Sequence, residues 1–460
     1  MSSIRCFCCW VALIVFVCVA VSLAQAEETM PGLRLATFDI DVTPPVGAHM
    51  AYDPVIQTWD MSLRARGIIL LGADTPIVLC AVDWIGIGNE GHDAFRQALA
   101  DGANTTPDRV AVHTVHQHDA PGCDFSAERL LNEHGVDARR YNGDFARSVL
   151  VRLEQAVRSG LEKAQPVTHL GLGVAPVYEV ASNRRIMNEN DEVRAMRFTA
   201  CRDAALRAEP EGVIDPEVSV ISLWNEDTPT AVLSYYASHP QSYYRTGIPN
   251  PDFPGVARFL RQLATPSALH VHFTGAGGNI GAGKYNDGSP ENRYVLAERL
   301  ADGMSRAWEN TERMPLTPSD VAWRVAPTAL PAAPWLSMEE LKAALTEQED
   351  PAGILGYATR LAWLERLAAG HKIDITCLVL GRARILHTPG ELFVEYQLAA
   401  KEARPDLFVA MAAYGDYATG YIGTTAAYEE GGYETSERAS NVAPETEAVL
   451  MAAIHALLSD

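Results

Sequence analysis

The chain alternates short runs of β-forming residues with stretches of helical pattern over most of its length. Residues 67–84 read "GIILLGADTPIVLCAVDW" and contain two β-rich runs, after which "GHDAFRQALADG" has a helical pattern and "RVAVHTVHQH" is again β-rich. Such alternation favours an α/β fold, in which helices cover the faces of a sheet. The sequence contains no visible internal repeat and no low-complexity tract.

Three longer segments add detail to this prediction. Residues 146–163 form an amphipathic stretch, and "VSVISLWNEDTPTAVLSYYASH" has the pattern of a two-stranded hairpin. A Pro- and Ala-rich connector occupies residues 326–335, after which Ser337 and Glu340 have the spacing of a capping box. Because strand-like sequence resumes at "DITCLVLGRARILHTPG", we expect a helical insertion at about residues 336–370.

The N-terminus has the pattern of a secretory signal peptide. Arg5 precedes an apolar run that ends in the small-residue triplet "AQA", and two glutamates follow. The alternative is a permanent membrane anchor, since the run is close to the length of a span. Residues 1–26 are therefore expected to be removed, leaving residues 27–460 as a secreted or periplasmic chain without a membrane span.

Charge and cysteine content exclude two classes of protein. The formal net charge is −21, and no basic cluster is present that could follow a phosphate backbone, so nucleic acid is not an expected partner. Half of the eight cysteines lie in the signal peptide. The others are scattered without C-x-x-C spacing, which is not the pattern of a disulfide scaffold, and their pairing is left open: Cys80, Cys123, Cys201 and Cys377.

The segment "DRVAVHTVHQHDAPG" carries the strongest local signal for chemistry. A strand of alternating pattern here ends in His113, His116 and His118. The period of two places His116 and His118 on one face and His113 on the other. Neutral imidazole is a common zinc ligand, but H-x-H alone is equally compatible with surface or core histidines.

Other segments supply side chains of the same chemical type. His239 ends a β-rich run before Pro240, and Glu391 follows a Pro-Gly pair, where we expect the first turn of a helix to favour an ionised carboxylate. Tyr421 and Tyr433 lie in a loop rich in Gly and Thr. Each of these residues alone is also explained as a strand-end cap, as a carboxylate near a helix dipole or as a half-buried aromatic.

The sequence excludes two common hydrolase motifs, the phosphate-binding loop of nucleotide hydrolases and the nucleophile motif of serine esterases. Residues 278–284 read G-x-x-x-x-G-K after a strand-like run, but Tyr285 stands where a phosphate-binding loop has a Ser or Thr that holds magnesium. No G-x-S-x-G segment occurs in the chain.

Six stretches of the sequence, taken in order, resemble one known family. They are "FDIDVTPPVGAHM", "VHQHDAPG", "SNRR", "ASHPQS", "TPGE" and "DYATGYIGTTAAYEEGGYE". They are similar to the D-I-T-P segment, "HTHSGPGG", "NRS", "AxHPxS", "PGE" and "YxxYxTTxxxYxxxxYE" of the neutral/alkaline non-lysosomal ceramidases. The resemblance covers nearly all of the expected mature chain.

The resemblance implies a mixed-sheet α/β catalytic domain, without the C-terminal immunoglobulin-like domain of larger members because the chain ends at Asp460. By position in these motifs, the zinc ligands would be His116, His239, Glu391 and Tyr421. The residues that polarise the substrate carbonyl would be His118, Arg184 and Tyr433. The implied function is hydrolysis of a small-molecule or lipid amide by metal-activated water in an exported zinc enzyme.

One loop departs from the family pattern. Where the ceramidases have "GDVSPN" this chain has "GNIGAG", so that Gly281 replaces the serine held to be essential for ceramide turnover and Asn279 replaces the aspartate. A site without that hydroxyl favours a smaller or more polar amide or ester over ceramide. The alternative function is a non-catalytic secreted protein that binds a lipid or glycan and keeps the fold with a structural metal.

Overall fold

The structure is a computed structural model that describes residues 32–59, 61–348, 350 and 353–459. The expected signal peptide, residues 1–26, lies outside the described residues and stays a prediction. Residues 32–460 are assigned to one compact unit. Among the described helices, none has the length and apolar character that a membrane span requires.

The described residues contain short strands and medium-length helices. The strands are β1 (Arg34–Asp41), β2 (Arg64–Leu71), β3 (Ile77–Val82), β4 (Gly86–Ile87), β5 (Val110–Thr114), β6 (Gly122–Cys123), β7 (Gln165–Pro166), β8 (His169–Pro176), β9 (Ser182–Asn183), β10 (Arg185–Met187), β11 (Val193–Met196), β12 (Glu217–Asn225), β13 (Thr228–Tyr236), β14 (Leu269–Thr274), β15 (Ile280–Gly281), β16 (Glu312–Pro315), β17 (Val321–Thr328), β18 (Ile373–Leu380), β19 (Ala383–His387), β20 (Glu391–Leu392), β21 (Phe408–Ala412) and β22 (Tyr421–Ile422). The helices are α1 (Asn89–Ala103), α2 (Phe125–Glu133), α3 (Asp144–Leu161), α4 (Ala204–Ala208), α5 (Asp252–Ala264), α6 (Glu291–Glu309), α7 (Met338–Glu347), α8 (Ile354–Ala368), α9 (Val394–Ala403), α10 (Thr425–Glu430) and α11 (Thr446–Leu458).

Three of the sheets share one strand plan. In each, three strands pair antiparallel, and a fourth strand, reached through a helix, pairs parallel with the third. The shared strand orders are β1-β2-β3-β5, β8-β12-β13-β14 and β17-β18-β19-β21, with α1, α5 and α9 as the respective crossover helices. A fifth strand extends two of the sheets, β7 beside β1 and β16 beside β8. The fold therefore repeats one topological unit, although the sequence shows no repeat.

The three sheets pack around a common apolar core. Leu79 of β3, Leu233 of β13 and Ile385 of β19 belong to this one cluster, so each sheet turns one face towards it. Helices α1 and α3 cover the outer face of the first sheet, α5 and α6 that of the second, and α9 and α11 that of the third. Because both faces of β3 are covered, all its residues are buried, which explains its continuous apolar sequence "IVLCAV".

The mixed-sheet α/β fold expected from the sequence is confirmed. Helix α3 occupies the amphipathic stretch, and β12 and β13 pair antiparallel as the expected hairpin. Helices α7 and α8 lie where the helical pair is expected, and the Ser337 hydroxyl accepts a hydrogen bond from the backbone N–H of Glu340 at 3.3 Å. That this pair is an insertion stays a prediction. All four cysteines of the described chain are buried and free.

Candidate metal centre

Each of the three repeated sheets contributes a residue to one buried cluster. His116 follows β5 of the first sheet, His239 follows β13 of the second, and Glu391 follows β19 of the third. Parallel pairing of the third and fourth strands makes their carboxyl ends meet at one edge of each sheet. The shared core then brings the three edges together.

The ligand-type atoms of the cluster lie close enough to share one ion. Nε2 of His239 is 3.1 Å from Nε2 of His116 and 3.2 Å from Nε2 of His118. Oε2 of Glu391 is 3.3 Å from Nε2 of His116 and 3.7 Å from Nε2 of His239. All four side chains are buried. The three histidines form a group that could hold a metal ion.

Hydrogen bonds at Nδ1 fix the tautomers of two of these histidines. Nδ1 of His116 contacts the carbonyl oxygen of Ile85, and Nδ1 of His239 lies 3.4 Å from that of Gly277. A carbonyl oxygen only accepts, so each neutral ring carries its proton on Nδ1 and presents a lone pair at Nε2. These two lone pairs face each other at 3.1 Å, an arrangement that a cation between them would stabilise.

Glu391 supports the same interpretation. Its Oε1 accepts a hydrogen bond from the Tyr417 hydroxyl at 2.6 Å, whereas its buried Oε2 has no hydrogen-bond partner. A buried carboxylate oxygen without a partner is costly in free energy. Two imidazole lone pairs and a free carboxylate oxygen make up a donor set that zinc accepts. The residues present therefore fit a bound metal ion.

His118 differs from its neighbours because, among the described residues, its Nδ1 contacts a side-chain amide and a hydroxyl and no carbonyl oxygen. The Gln241 side-chain amide nitrogen lies 3.0 Å from this Nδ1, and the Tyr52 hydroxyl lies 3.1 Å from it. The Thr199 hydroxyl donates to the other end of the amide, Oε1 of Gln241, at 2.6 Å. In this orientation the amide donates to Nδ1, which leaves the proton of neutral His118 on Nε2, directed into the cluster.

Tyr421 and Glu391 are held side by side by main-chain pairing. Strands β20 and β22 run parallel with Glu391 opposite Tyr421. The expectation that Glu391 lies in the first turn of a helix is wrong, because α9 begins three residues later, at Val394. The carboxylate is thus positioned by a short strand pair.

Arg184 and Tyr433 border Tyr421 on its other side. Nη1 of Arg184 donates to the Tyr421 hydroxyl at 3.1 Å and to the Gly278 carbonyl at 3.2 Å. Its Nε lies 3.3 Å from Oε1 of Glu434, so the guanidinium charge is paired. The rings of Tyr421 and Tyr433 pack edge to face with centroids 5.7 Å apart, and Tyr433 is 38% exposed. The seven site residues expected from the sequence therefore lie in one region.

Burial and neighbouring charges set the protonation of the cluster. Burial, reinforced by the nearby Arg184 guanidinium, holds the pKa values of His118 and His239 well below the usual range, so both rings are neutral. Burial raises the pKa of Glu391, but its polar neighbours, with hydrogen bonds from the Tyr417 and Tyr421 hydroxyls, outweigh it, and the net pKa is lowered. Burial raises the pKa of Tyr421 well above its ordinary value, against the lowering effect of Arg184. Without a metal ion Tyr421 is a neutral phenol.

Comparison with solved structures relates this arrangement to a known fold. A crystal structure of neutral ceramidase from Pseudomonas aeruginosa aligns with a TM-score of 0.63 and 17% identity, over 92% of this chain and 73% of the other. A structure described as ceramidase complexed with C2 aligns with a TM-score of 0.63 and 16% identity, over 92% and 74% of the two chains. The fold is ceramidase-like. No family model and no curated protein matches the sequence.

Within this ceramidase-like fold, the histidine segment differs from its expected local structure. Strand β5 ends at Thr114, so His116 and His118 lie in the following loop, and His116 has a positive φ of 76°. Period-two alternation therefore does not explain why these two side chains converge. His113, on the strand itself, points elsewhere, and its Nδ1 lies 2.7 Å from the carbonyl oxygen of Ala413. A left-handed backbone costs free energy at a non-glycine residue and persists only where the surrounding structure holds it.

The loop that departs from the ceramidase motif is packed tightly behind the centre. Gly281 pairs with Ser182, and a Cβ atom added to it would lie 2.9 Å from Cγ2 of Thr199. The Asn279 side chain donates to the Glu395 carboxylate and accepts from the backbone N–H of Val394, which ties the loop to the start of α9. The space that a serine side chain would need at position 281 is therefore filled by Thr199.

Several contacts of the centre were missed by the sequence analysis. Tyr414 stacks on His116 with ring centroids 4.5 Å apart, and Tyr417 binds Glu391. Tyr52 and Gln241 bind His118. Gln241 had a usable signal, because it lies two residues after His239 in "SHPQS". Tyr52 also had a usable signal, because it lies two residues after the segment "FDIDVTPPVGAHM".

Proposed function

We propose that this protein is a metal-dependent hydrolase that cleaves an amide bond with water. The observation that carries the proposal is the convergence of the Nε2 lone pairs of His116 and His239 on the unpartnered Oε2 of Glu391. The ligand set would be completed by Tyr421, and zinc is the metal that the donor types favour. The similarity to neutral ceramidase structures supports the same reaction class.

Around such a centre the other residues have defined tasks. Zinc supplies Lewis acidity and lowers the pKa of water to about 7. The water oxygen bonds to the carbonyl carbon, the C–N bond breaks, and the amine leaves with a proton. His118, through Nε2–H, and Tyr433, through its hydroxyl, would donate hydrogen bonds to the oxygen that becomes negative, and the Arg184 guanidinium would orient Tyr421.

The packing at Gly281 bears on the substrate. Because Thr199 occupies the space of a serine side chain, the substrate should not depend on a hydroxyl there. We therefore propose an N-acyl substrate smaller or more polar than ceramide. The same observation favours a second candidate, a secreted lipid- or glycan-binding protein that keeps a structural metal. Export itself rests on the sequence of residues 1–26 alone.

A hydrolysis screen tests the proposal. The mature chain is assayed against short N-acyl amides and esters as purified, after treatment with a chelator, and after zinc is restored. We expect activity that is lost with the chelator and recovered with zinc. Tyr433→Phe should lower the rate by about 10²- to 10³-fold without changing the metal content, because a donor to the developing oxyanion is removed.

A matched control comes from helix α6. Tyr294 is 53% exposed on that helix, so Tyr294→Phe should leave the rate unchanged. A chain that binds zinc but hydrolyses nothing in the screen would contradict the enzyme and favour the binding protein.

A further inference from the structure

A second pocket lies directly beside the candidate metal centre. Its walls include Tyr52, Ile85 and Tyr417, and its volume is about 120 Å³. These residues also contact the cluster: the Tyr52 hydroxyl reaches His118, the Ile85 carbonyl reaches His116, and the Tyr417 hydroxyl reaches Glu391. The pocket and the centre are thus separated by one layer of residues.

Arg140 is the only basic residue in the pocket wall, within the described part of the chain. Its Nη1 reaches the Ala51 carbonyl at 3.5 Å, its Cζ lies 4.9 Å from the centroid of the Tyr141 ring, and its buried Nε has no hydrogen-bond partner. No described carboxylate lies within 4.0 Å of its nitrogen atoms. A half-buried guanidinium without an acidic partner is unusual in a chain with a net charge of −21.

The one acidic residue of the pocket wall does not supply that partner. Asp124 is buried, and its carboxylate accepts hydrogen bonds from Nδ2 of Asn89 at 2.7 Å and from the backbone N–H of Ala127 at 2.9 Å. Burial raises the pKa of Asp124 to about 7, which reduces its negative charge near neutral pH. The remaining walls are mainly tyrosine rings, glycines and small apolar groups. Arg140 also has a hydrogen bond with the Tyr141 side chain, but its Nε has no partner and its charge has no carboxylate partner among the described residues, so the guanidinium is available to an anion that enters.

We propose that this pocket binds a short carboxylate, so that the substrate is an amide that carries a carboxylate a few atoms from the scissile bond. This inference rests on the proposed function for the amide and on Arg140 for the carboxylate. The planar guanidinium suits a carboxylate, which it can hold through two parallel hydrogen bonds. Hydrolysis would add water across the C–N bond and release an acid and an amine, and the pocket carboxylate would remain unchanged.

The pocket volume limits the size of the anion. An engineered cavity of about 150 Å³ in another protein holds one benzene molecule. A pocket of about 120 Å³ therefore accepts a carboxylate with a chain of about four carbons, and it excludes a long acyl chain. Acylated amino acids and half-amides of short dicarboxylic acids both have this chemistry.

Ligand binding tests the pocket independently of catalysis. Butyrate and its neutral counterpart butyramide are titrated into the full mature chain and followed by ligand-observed NMR. We expect butyrate to bind at least tenfold more tightly than butyramide, and Arg140→Gln to weaken butyrate binding by about 10- to 100-fold, as for a lost hydrogen bond to a charged group. Arg140→Lys should retain part of the preference.

Arg139 provides the matched control. It precedes Arg140 in the chain, is exposed, and lines a neighbouring cavity that Arg140 also borders, but it does not line this pocket. Arg139→Gln should bind butyrate as the wild type does. Equal binding of butyrate and butyramide by the wild-type chain, or no binding of either, would overturn the proposal even if Arg140→Gln failed to fold.

A kinetic comparison then shows which side of the amide carries the carboxylate. N-acetyl amino acids and succinamate-type half-amides are each compared with their methyl esters, and the preferred acid should lose its advantage in Arg140→Gln. Carboxylate binding without any hydrolysis would leave the pocket intact and contradict only the proposed enzyme. Hydrolysis that is indifferent to the carboxylate would contradict only the pocket.

Discussion

The side-chain amide of Gln241 lies 3.0 Å from Nδ1 of His118, and the Thr199 hydroxyl holds the amide in that orientation. Nδ1 of His116 and Nδ1 of His239 each lie beside a carbonyl oxygen instead, and Nδ1 of His239 is also 3.5 Å from the Tyr414 hydroxyl, which can accept its proton. The three neighbouring histidines therefore carry their protons on different nitrogens. His118 presents an N–H to the centre, and the other two present lone pairs.

The tautomer of His118 is directly measurable. In two-bond ¹H–¹⁵N spectra of the metal-free chain, we expect the Nε2–H pattern for His118 and the Nδ1–H pattern for His116 and His239. Gln241→Met should lower the hydrolysis rate about tenfold at unchanged metal content, because the remaining Tyr52 hydroxyl holds the ring less specifically. A Nδ1–H pattern for His118 would make it a metal ligand like its neighbours.

The packing at Gly281 predicts a coupled pair of substitutions. Gly281→Ser should lower the free energy of unfolding by about 1–3 kcal/mol, because the new Cβ would lie 2.9 Å from Cγ2 of Thr199. Adding Thr199→Ala removes that methyl and should recover at least half of the loss. Urea unfolding of both single variants and the double variant measures the coupling. Strictly additive effects would show that Thr199 does not fill this space.

Buried histidines predict a loss of stability in mild acid. Burial lowers the pKa of His113 and of His272 to about 3 from the ordinary 6.5. The unfolded chain therefore binds more protons than the folded chain below pH 6.5. The stability that comes from keeping these histidines neutral is fully present above pH 6.5. It is lost as the pH falls towards 3, by roughly 1.4 kcal/mol per pH unit for each such histidine.

Urea unfolding at pH 7.5, 6.5 and 5.5 checks this prediction. His272→Asn should reduce the slope of the free energy of unfolding against pH by an amount that corresponds to up to one proton. The same change at the exposed His455 should not alter this slope. A free energy of unfolding that stays constant or rises from pH 7.5 to 5.5 would contradict the account.

The sequence was informative about elements whose pattern is local. The amphipathic run of α3 and the hairpin of β12 and β13 were predicted because the spacing of their apolar residues is visible within a short stretch of sequence. The local pattern gave the wrong structure for Glu391. The segment "ELF" before a helix resembles the first turn of that helix, but Glu391 pairs with Tyr421, thirty positions away, and is part of a strand. Strand pairing between segments that are distant in sequence cannot be recognised from one short stretch of residues.

For a related reason, the sequence did not predict the repeated sheet topology or the additional side chains around the centre. Three units with the same strand order need only the same alternation of apolar residues, so their sequences can diverge until no repeat is visible. Tyr52 and Tyr417 reach the centre from loops whose path depends on the packing of two sheets. The ligand-type residues were predicted because several motifs occur together and in the same order as in a known family. A single H-x-H segment would not have been sufficient for this prediction.

Metal content per chain, determined by elemental mass spectrometry on the mature protein, tests the central claim most directly. We expect about one zinc per wild-type chain, its loss in His239→Ala, and its retention in His134→Ala, since His134 binds the Leu130 carbonyl at the end of α2. A wild-type chain that holds no metal after incubation with zinc, or a His239→Ala variant that keeps it fully, would contradict the assignment.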